Sequence, residues 1–317
     1  MPKRITAVLL LLTMMAGCTD EQKNRPLTLA VSTWSGYEYF YLAQEQGFFK
    51  AAGINVKIQE LHSLSDAQRA FTQGRADGLA SSIAEVLQAA SMIEDDIHLV
   101  LITDYSQGSD VIVSQTKFPD VKSLQGRRVA AEPGSMGIVL LSSALVYNGM
   151  KISDIEFVAL NQADIITALL AGTIDAGVTY PPFATRLATN TDTKTIFTSA
   201  QLPGQIANMV SFRGDLELSP AWINKFQIAW QMALDYAEQN PVKADQMMAD
   251  HQHINMAEFR RSGDDITLVS ASQQAEAIAL IGQSDVITHT CRTLGRLGSI
   301  RHNCRSLVEG IKLRSIP

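Results

Sequence analysis

A strand–loop–helix–strand series that begins twice along one chain constrains this sequence more than any other feature. Leu27-Thr28-Leu29-Ala30-Val31 alternates large apolar and smaller positions, the pattern of a half-buried strand. The loop Thr33-Trp34-Ser35-Gly36-Tyr37 follows. Tyr37, Phe40, Tyr41 and Phe48 then recur at helical spacing, and Ile54, Val56 and Ile58 alternate as a second strand. Residues 65–71 predict a helix capped by Ser65 and closed by Gly74. A short strand over 79–82, a helix over 84–90 and a buried strand over 98–103 complete the first series. The second starts with a strand over 128–131 and the loop Glu132-Pro133-Gly134-Ser135. A helix over 136–147 ends at Asn148-Gly149. A strand over 155–160, a helix over 163–171 and a strand over 174–179 follow. This alternation predicts the α/β class: two similar lobes, each a mainly parallel sheet flanked by helices.

Two extended apolar runs, 110–114 and 208–212, border the second series and read as crossover strands forming a hinge. The resulting division is 27–112 for the first lobe, 113–210 for the second, and 211–317 for a return to the first with C-terminal helices. A ligand then belongs between the lobes, where hinge motion closes over it.

The first residues are set apart from the fold. Lys3 and Arg4 precede an apolar run over 5–15 that is too short to span a bilayer, so 1–17 reads as a signal peptide. Met15-Ala16-Gly17-Cys18 resembles a bacterial lipobox. That resemblance implies cleavage before Cys18, lipidation of its thiol and a membrane anchor, with 18–26 as a polar tether. The alternative is an ordinary secretory peptide in which Cys18 is incidental. The formal charge of −6 becomes −8 without Lys3 and Arg4, and an acidic body does not suggest a nucleic-acid partner. Cys291 and Cys304 remain. In an oxidising compartment they form a disulfide, or else they are free thiols on adjacent helices. The stretch 285–317 is basic within this acidic chain, and reads as a solvated surface or as a docking face.

Ligands of open α/β sheets sit beyond the carboxyl ends of strands. This selects Thr33, Trp34, Ser35, Gly36, Tyr37, Ser81, Ser82, Asp104 and Tyr105 in the first lobe. In the second it selects Glu132, Gly134, Ser135, Met136, Asn161 and Tyr180. Trp34 offers a flat face for stacking or for a cation. Pro133-Gly134-Ser135 opens a helix whose free N–H groups suit an anion, or Ser135 simply caps that helix. Asp104 and Glu132 pull the other way, toward a cation or a hydrogen-bond donor. Pro181-Pro182 would hold Tyr180 rigidly. His251-Gln252-His253 lacks partners for a metal site and reads as a solvated helix end. No Gly-x-x-x-x-Gly-Lys loop and no Gly-x-Ser-x-Gly elbow occurs. No cofactor and no catalytic residue is expected.

Trp34-Ser35-Gly36-Tyr37, Tyr41-Leu42-Ala43, Gly47-Phe48-Phe49, Val129-Ala130-Ala131-Glu132-Pro133-Gly134-Ser135 and Ala168-Leu169-Leu170-Ala171-Gly172 together resemble periplasmic substrate-binding proteins of ABC importers. The branch is the one with receptors for sulfonates, nitrate and thiamine-precursor pyrimidines. The resemblance covers about residues 27–250. It implies a two-lobed, hinge-closing fold of the type II-like periplasmic class, a monomer, a small-molecule ligand and an ABC permease as partner. A sensor reporting ligand to a membrane signalling protein needs the same cleft and stays open as an alternative. The pyrimidine-synthesising relatives of this family carry a cysteine-rich motif that is absent here.

Overall fold

The computed structural model describes residues 25–93, 95–187, 190–283, 285–300 and 303–314. The signal peptide, most of the tether and the lipidation candidate Cys18 lie outside the described residues.

Two sheets organise the chain. The first contains β1 (Leu27–Val31), β2 (Val56–Glu60), β3 (Gly78–Ser82) and β4 (Ile97–Ser106). The second contains β5 (Val111–Gln115), β6 (Arg128–Ala131), β7 (Glu156–Ala159), β8 (Ala176–Thr179) and β9 (Thr193–Thr198). The chain then returns to the first sheet as β10 (Ala207–Arg213), β11 (Ile266–Leu268) and β12 (Ile311–Leu313). The strand orders are β11-β4-β10-β3-β1-β2 and β7-β6-β8-β5-β9, with β12 beside the start of β4.

Both sheets are mixed rather than mainly parallel. β1 pairs in parallel with β2 and β3, and β6 with β7 and β8. β10 runs antiparallel to both β3 and β4, and β5 antiparallel to both β8 and β9. A helical crossover keeps direction along a sheet. β5 and β10 are instead reached by chain coming from the other lobe, so they enter reversed.

The expected crossover strands therefore sit differently. β5 pairs wholly within the second sheet and β10 wholly within the first. The crossings fall just before each, within residues 107–110 and 199–206. Val111 and Ile112, expected in the first lobe, belong to the second sheet. Ala207 to Val210, expected in the second lobe, belong to the first. An apolar run marks a buried strand, not which sheet it joins.

Local sequence explains the elements around the cleft. Ser63, not Ser65, caps the helix Leu64–Thr72 by accepting the Asp66 N–H at 3.1 Å. The helix Ile83–Ala90 opens with a capping box of Ser82 and Glu85. The aromatic helix Glu38–Glu45 turns Phe40 into the core of the first lobe. There the helix Pro220–Gln239 packs over it, with Phe40 and Trp230 ring centroids 4.9 Å apart. His251 is not a solvated helix end: its ring lies 3.8 Å from that of Tyr41, and Nδ1 is 2.9 Å from Glu38 Oε2. Among the described residues no helix is long and apolar enough to cross a membrane.

Cys291 and Cys304 are joined in a disulfide that ties the helix Val286–Arg296 to the helix Cys304–Gly310. Val286–Arg296 packs against both Ile83–Ala90 and Met136–Tyr147, so this C-terminal pair touches helices of both lobes. Part of its positive charge is paired locally, Lys312 with Asp96 and Arg305 with Glu309. Cys291→Ser with Cys304→Ser should cost about 3 kcal/mol, from the restored entropy of a short unfolded loop. Urea unfolding followed by circular dichroism checks this, and an unchanged midpoint would refute it.

Candidate functional site

Four strand ends and two helix starts converge between the lobes. The loop after β1 brings Trp34 and Tyr37, β3 brings Ser81 and Ser82, and β10 brings Asn208. The second lobe supplies Ser135 and Met136 from the start of Met136–Tyr147, and Tyr180 from the loop after β8. Together with Glu85 and Asp110 they enclose a cavity of about 40 Å³, room for a few water molecules. Met136 and Ile206 also line a second cavity of about 330 Å³, walled on one side by Val286–Arg296.

The lobes are closed on one another. Trp34 and Tyr180 meet edge to face across the cleft, with centroids 5.7 Å apart. The Ser65 hydroxyl donates to Glu132 Oε1 at 3.0 Å, and the Ser65 N–H to the same oxygen at 3.3 Å. The Met136 N–H donates to Glu85 Oε1 at 2.8 Å. Gly134, at φ 71°, lies against the Gln88 amide, where a Cβ would strain the backbone and push that side chain aside. A solute larger than a few atoms enters only if these contacts part.

The expected site residues divide by position. Thr33, Trp34, Tyr37, Ser81, Ser82, Ser135, Met136 and Tyr180 line the cavity. Asp104 lies behind them, fully buried: it accepts from Asn208 Nδ2 at 2.8 Å, the Thr103 hydroxyl at 2.8 Å and Trp34 Nε1 at 3.2 Å. Asp104 therefore positions Trp34 and Asn208 and is not among the residues lining the cavity. Asn208 in turn accepts from the Tyr37 hydroxyl at 3.5 Å. Gly36 is packed against Trp34 and Asp104, where a Cβ would fall 2.6 Å from Trp34 Nε1. Ser35 turns away and donates to Ser262 at 2.9 Å. Glu132 and Gly134 make the contacts between lobes. Asn161 is exposed and caps the helix Gln162–Leu170 through the Asp164 N–H at 3.0 Å. Tyr105, half-buried on β4, is not among the cavity-lining residues.

Ser135 caps its own helix, accepting from the Gly137 N–H at 3.1 Å. The Met136 N–H beside it is taken by the Glu85 carboxyl of the other lobe. Glu85 Oε2 also accepts from the Ser82 N–H at 2.8 Å and the Ser82 hydroxyl at 2.5 Å.

Sequence reasoning missed Glu85, Asp110 and Asn208. Glu85 was legible as the fourth residue of Ser82-Ile83-Ala84-Glu85, a capping-box spacing. Asp110 and Asn208 stood at the edges of apolar runs and were absorbed into the expected hinge strands. Burial pushes the Glu85 carboxyl up to about 7, and the Asp104 and Asp110 carboxyls each up to about 6. Burial likewise raises the Tyr37 and Tyr180 hydroxyls well above their ordinary value.

Similar proteins share this architecture. The alkanesulfonate-binding protein SsuA of Xanthomonas axonopodis superposes with a TM-score of 0.73 at 16% identity, over 92% of this chain and 99% of that one. The aliphatic sulphonate-binding SsuA of Escherichia coli gives 0.71 at 19% identity, over 89% and 97%. The nitrate-binding NrtA of Synechocystis gives 0.68 at 10% identity, over 90% and 86%. These likenesses establish the periplasmic binding protein fold. In sequence, a binding protein of Brucella abortus is 31% identical over 78 residues, 24% of each chain. A 4-amino-5-hydroxymethyl-2-methylpyrimidine phosphate synthase of Uromyces fabae is 27% identical over 147 residues, 44% of this chain and 40% of that one. The chain thus spans less than half the length of these curated relatives. The NMT1/THI5 like family matches across residues 35–244, from the Trp34 loop through both sheets, and with more than half of the sequence inside that match the chain belongs to this family.

Proposed function

We propose that the protein is an extracytoplasmic receptor that captures a small polar or aromatic solute between its two lobes and passes it to an ABC permease. The observation that carries this reading is the pair of contacts joining the lobes around the cavity, Glu85 to Met136 and Ser65 to Glu132. Such contacts form only when the lobes close, so binding energy gathered in the cleft is coupled to a shape a permease can recognise. The structural neighbours are mainly named as binding proteins. This favours binding over catalysis, although relatives in sequence are named as a synthase. In this reading the mature protein is a monomer held to the membrane by lipid on Cys18.

Solute released on denaturing the purified protein, identified by mass spectrometry, tests the proposal directly. About one solute per chain is expected. Isothermal titration with that solute should show one site, and Trp34→Ala should weaken it about tenfold or more through the lost stacking face. Absence of any released solute, together with no heat from a broad solute panel, would refute the receptor role.

A further inference from the structure

We infer that the cleft selects a small organic cation, a solute carrying a protonated nitrogen on a flat or compact apolar body, and rejects oxyanions. This rests on the receptor role proposed above and names the class of ligand.

Two helices, Ile83–Ala90 and Met136–Tyr147, start at the cavity. Helix N-termini of this kind are ready anion sites. Here Glu85 occupies both at once. Its carboxylate caps Ile83–Ala90 in the first lobe and accepts the Met136 N–H of the second. An oxyanion at these helix starts competes with a carboxyl that keeps two hydrogen bonds to Ser82 when the lobes part and gains a third, from the Met136 N–H, when they close. It would also lie beside Asp110. Among the described residues lining the cavity there is no lysine, arginine or histidine to offset that repulsion.

Asp110 supplies the attraction for a cation. It is 6% exposed, it lines the cavity, and its Oδ2 has no hydrogen-bond partner among the described residues. An unpaired buried acceptor is costly, and a charged N–H donor satisfies both its lone pair and its charge. The aromatic groups complete the pattern. Trp34 gives its Nε1–H to Asp104 and Tyr37 its hydroxyl to Asn208. Their polar handles are used, which leaves ring surface to a ligand. Trp34, Tyr37 and Tyr180 thus present π surface beside a free carboxylate oxygen, the arrangement that favours a cation over a neutral solute of the same shape.

Proton competition follows. Asp110 and Glu85 both act on Tyr37 and Tyr180, and Asp104 acts on Asp110; these neighbours are neutral or acidic. With Asp110 raised to about 6 by burial, protons displace a cation as pH falls below that value. Affinity should therefore drop between pH 8 and pH 5.

Isothermal titration of the full mature protein with matched probes tests the inference. Benzamidinium, methylammonium and tetramethylammonium chlorides supply the cations, benzenesulfonate and nitrate the anions, and benzyl alcohol an uncharged shape control. At least one cation is expected to bind about tenfold more tightly than any anion or the alcohol, with weaker binding at pH 5. Asp110→Asn should weaken it about tenfold while circular dichroism shows an intact fold. The charge preference of the wild-type protein does not depend on that variant folding. Preference for an anion, or equal affinity for benzamidinium and benzyl alcohol, overturns the inference and leaves the receptor role standing. Cation binding that Asp110→Asn leaves unchanged overturns the assignment to Asp110. If no probe binds and the solute that co-purifies carries no basic nitrogen, the cation class is overturned. If no solute of any charge binds or co-purifies, the receptor role falls with it.

Discussion

Trp230→Ala is expected to destabilise the first lobe by about 3–5 kcal/mol, the cost of removing a large aromatic side chain from a closed core. Trp230 is fully buried. Its ring lies 4.9 Å from Phe40 and 5.7 Å from Tyr39 by centroid, on the helix that follows the Trp34 loop. Its Nε1–H donates to the Val269 carbonyl at 2.8 Å, and alanine would also lose that bond, leaving the carbonyl with only the longer one from Gln274 Nε2 at 3.3 Å. The effect should reach the cleft, because Phe40 in turn packs against Tyr37 at 6.2 Å. Trp230→Phe keeps much of the packing and loses the hydrogen bond, so about 1–2 kcal/mol is expected for it. Denaturant midpoints by circular dichroism measure both. A loss below about 1 kcal/mol for alanine would mean that the helix Pro220–Gln239 is not the core partner of the aromatic helix.

Stability should rise as pH falls from 8 to 5, and Glu85→Gln should remove the largest single part of that rise. A carboxyl whose folded pKa exceeds its unfolded value binds protons more tightly when folded. Its contribution is complete below the unfolded value and is lost as pH rises through the folded one. For Glu85 the window runs from 4.5 to about 7, which corresponds to about 3 kcal/mol. Asp104 and Asp110, raised from 3.8 to about 6, lose their contributions by the middle of the range. His251, raised by its bond to Glu38, adds a term of the same sign. His98, lowered by burial, acts oppositely and loses stability as pH falls through its folded value. Thermal melts of the unliganded protein at pH 5, 6, 7 and 8 read the balance. A wild-type melting point that falls steadily from pH 8 to pH 5 would show that these carboxylates are solvated and not buried. Glu85→Gln that left the pH slope unchanged would locate the effect elsewhere.

The opening motif shows how far single residues could be read. Trp34 and Tyr37 reach the cavity, as a loop beyond a strand end should place them. Phe40 and Phe49, which gave the same segment its aromatic character, are buried in the core instead. Composition cannot separate the two, because an aromatic ring packs equally well against a ligand or a neighbouring helix. A carboxylate at a strand end predicts a place in the cleft for Asp104, and it lies behind the cavity wall instead, where it orients Trp34. Ser65 has the sequence context of a helix cap but is a contact between lobes, because Ser63 two residues earlier takes the cap. Ser135 and Met136 open a helix that starts at the cavity. The group that fills their anion site comes from 51 residues away in sequence.

The amino-acid order alone therefore determined the α/β class, the two strand–helix series, most helix ends and the loops facing the cleft. These follow from periodicity and capping, which act over a few residues. Tertiary structure alone decided the mixed sheets, the points where the chain crosses between lobes, and the electrostatic character of the cleft. Direction in a sheet depends on which lobe a strand arrives from. Charge in the cavity depends on Glu85 crossing to Met136 and on Asp110 finding no donor. Both are relations between segments far apart in the chain, and no local pattern encodes them.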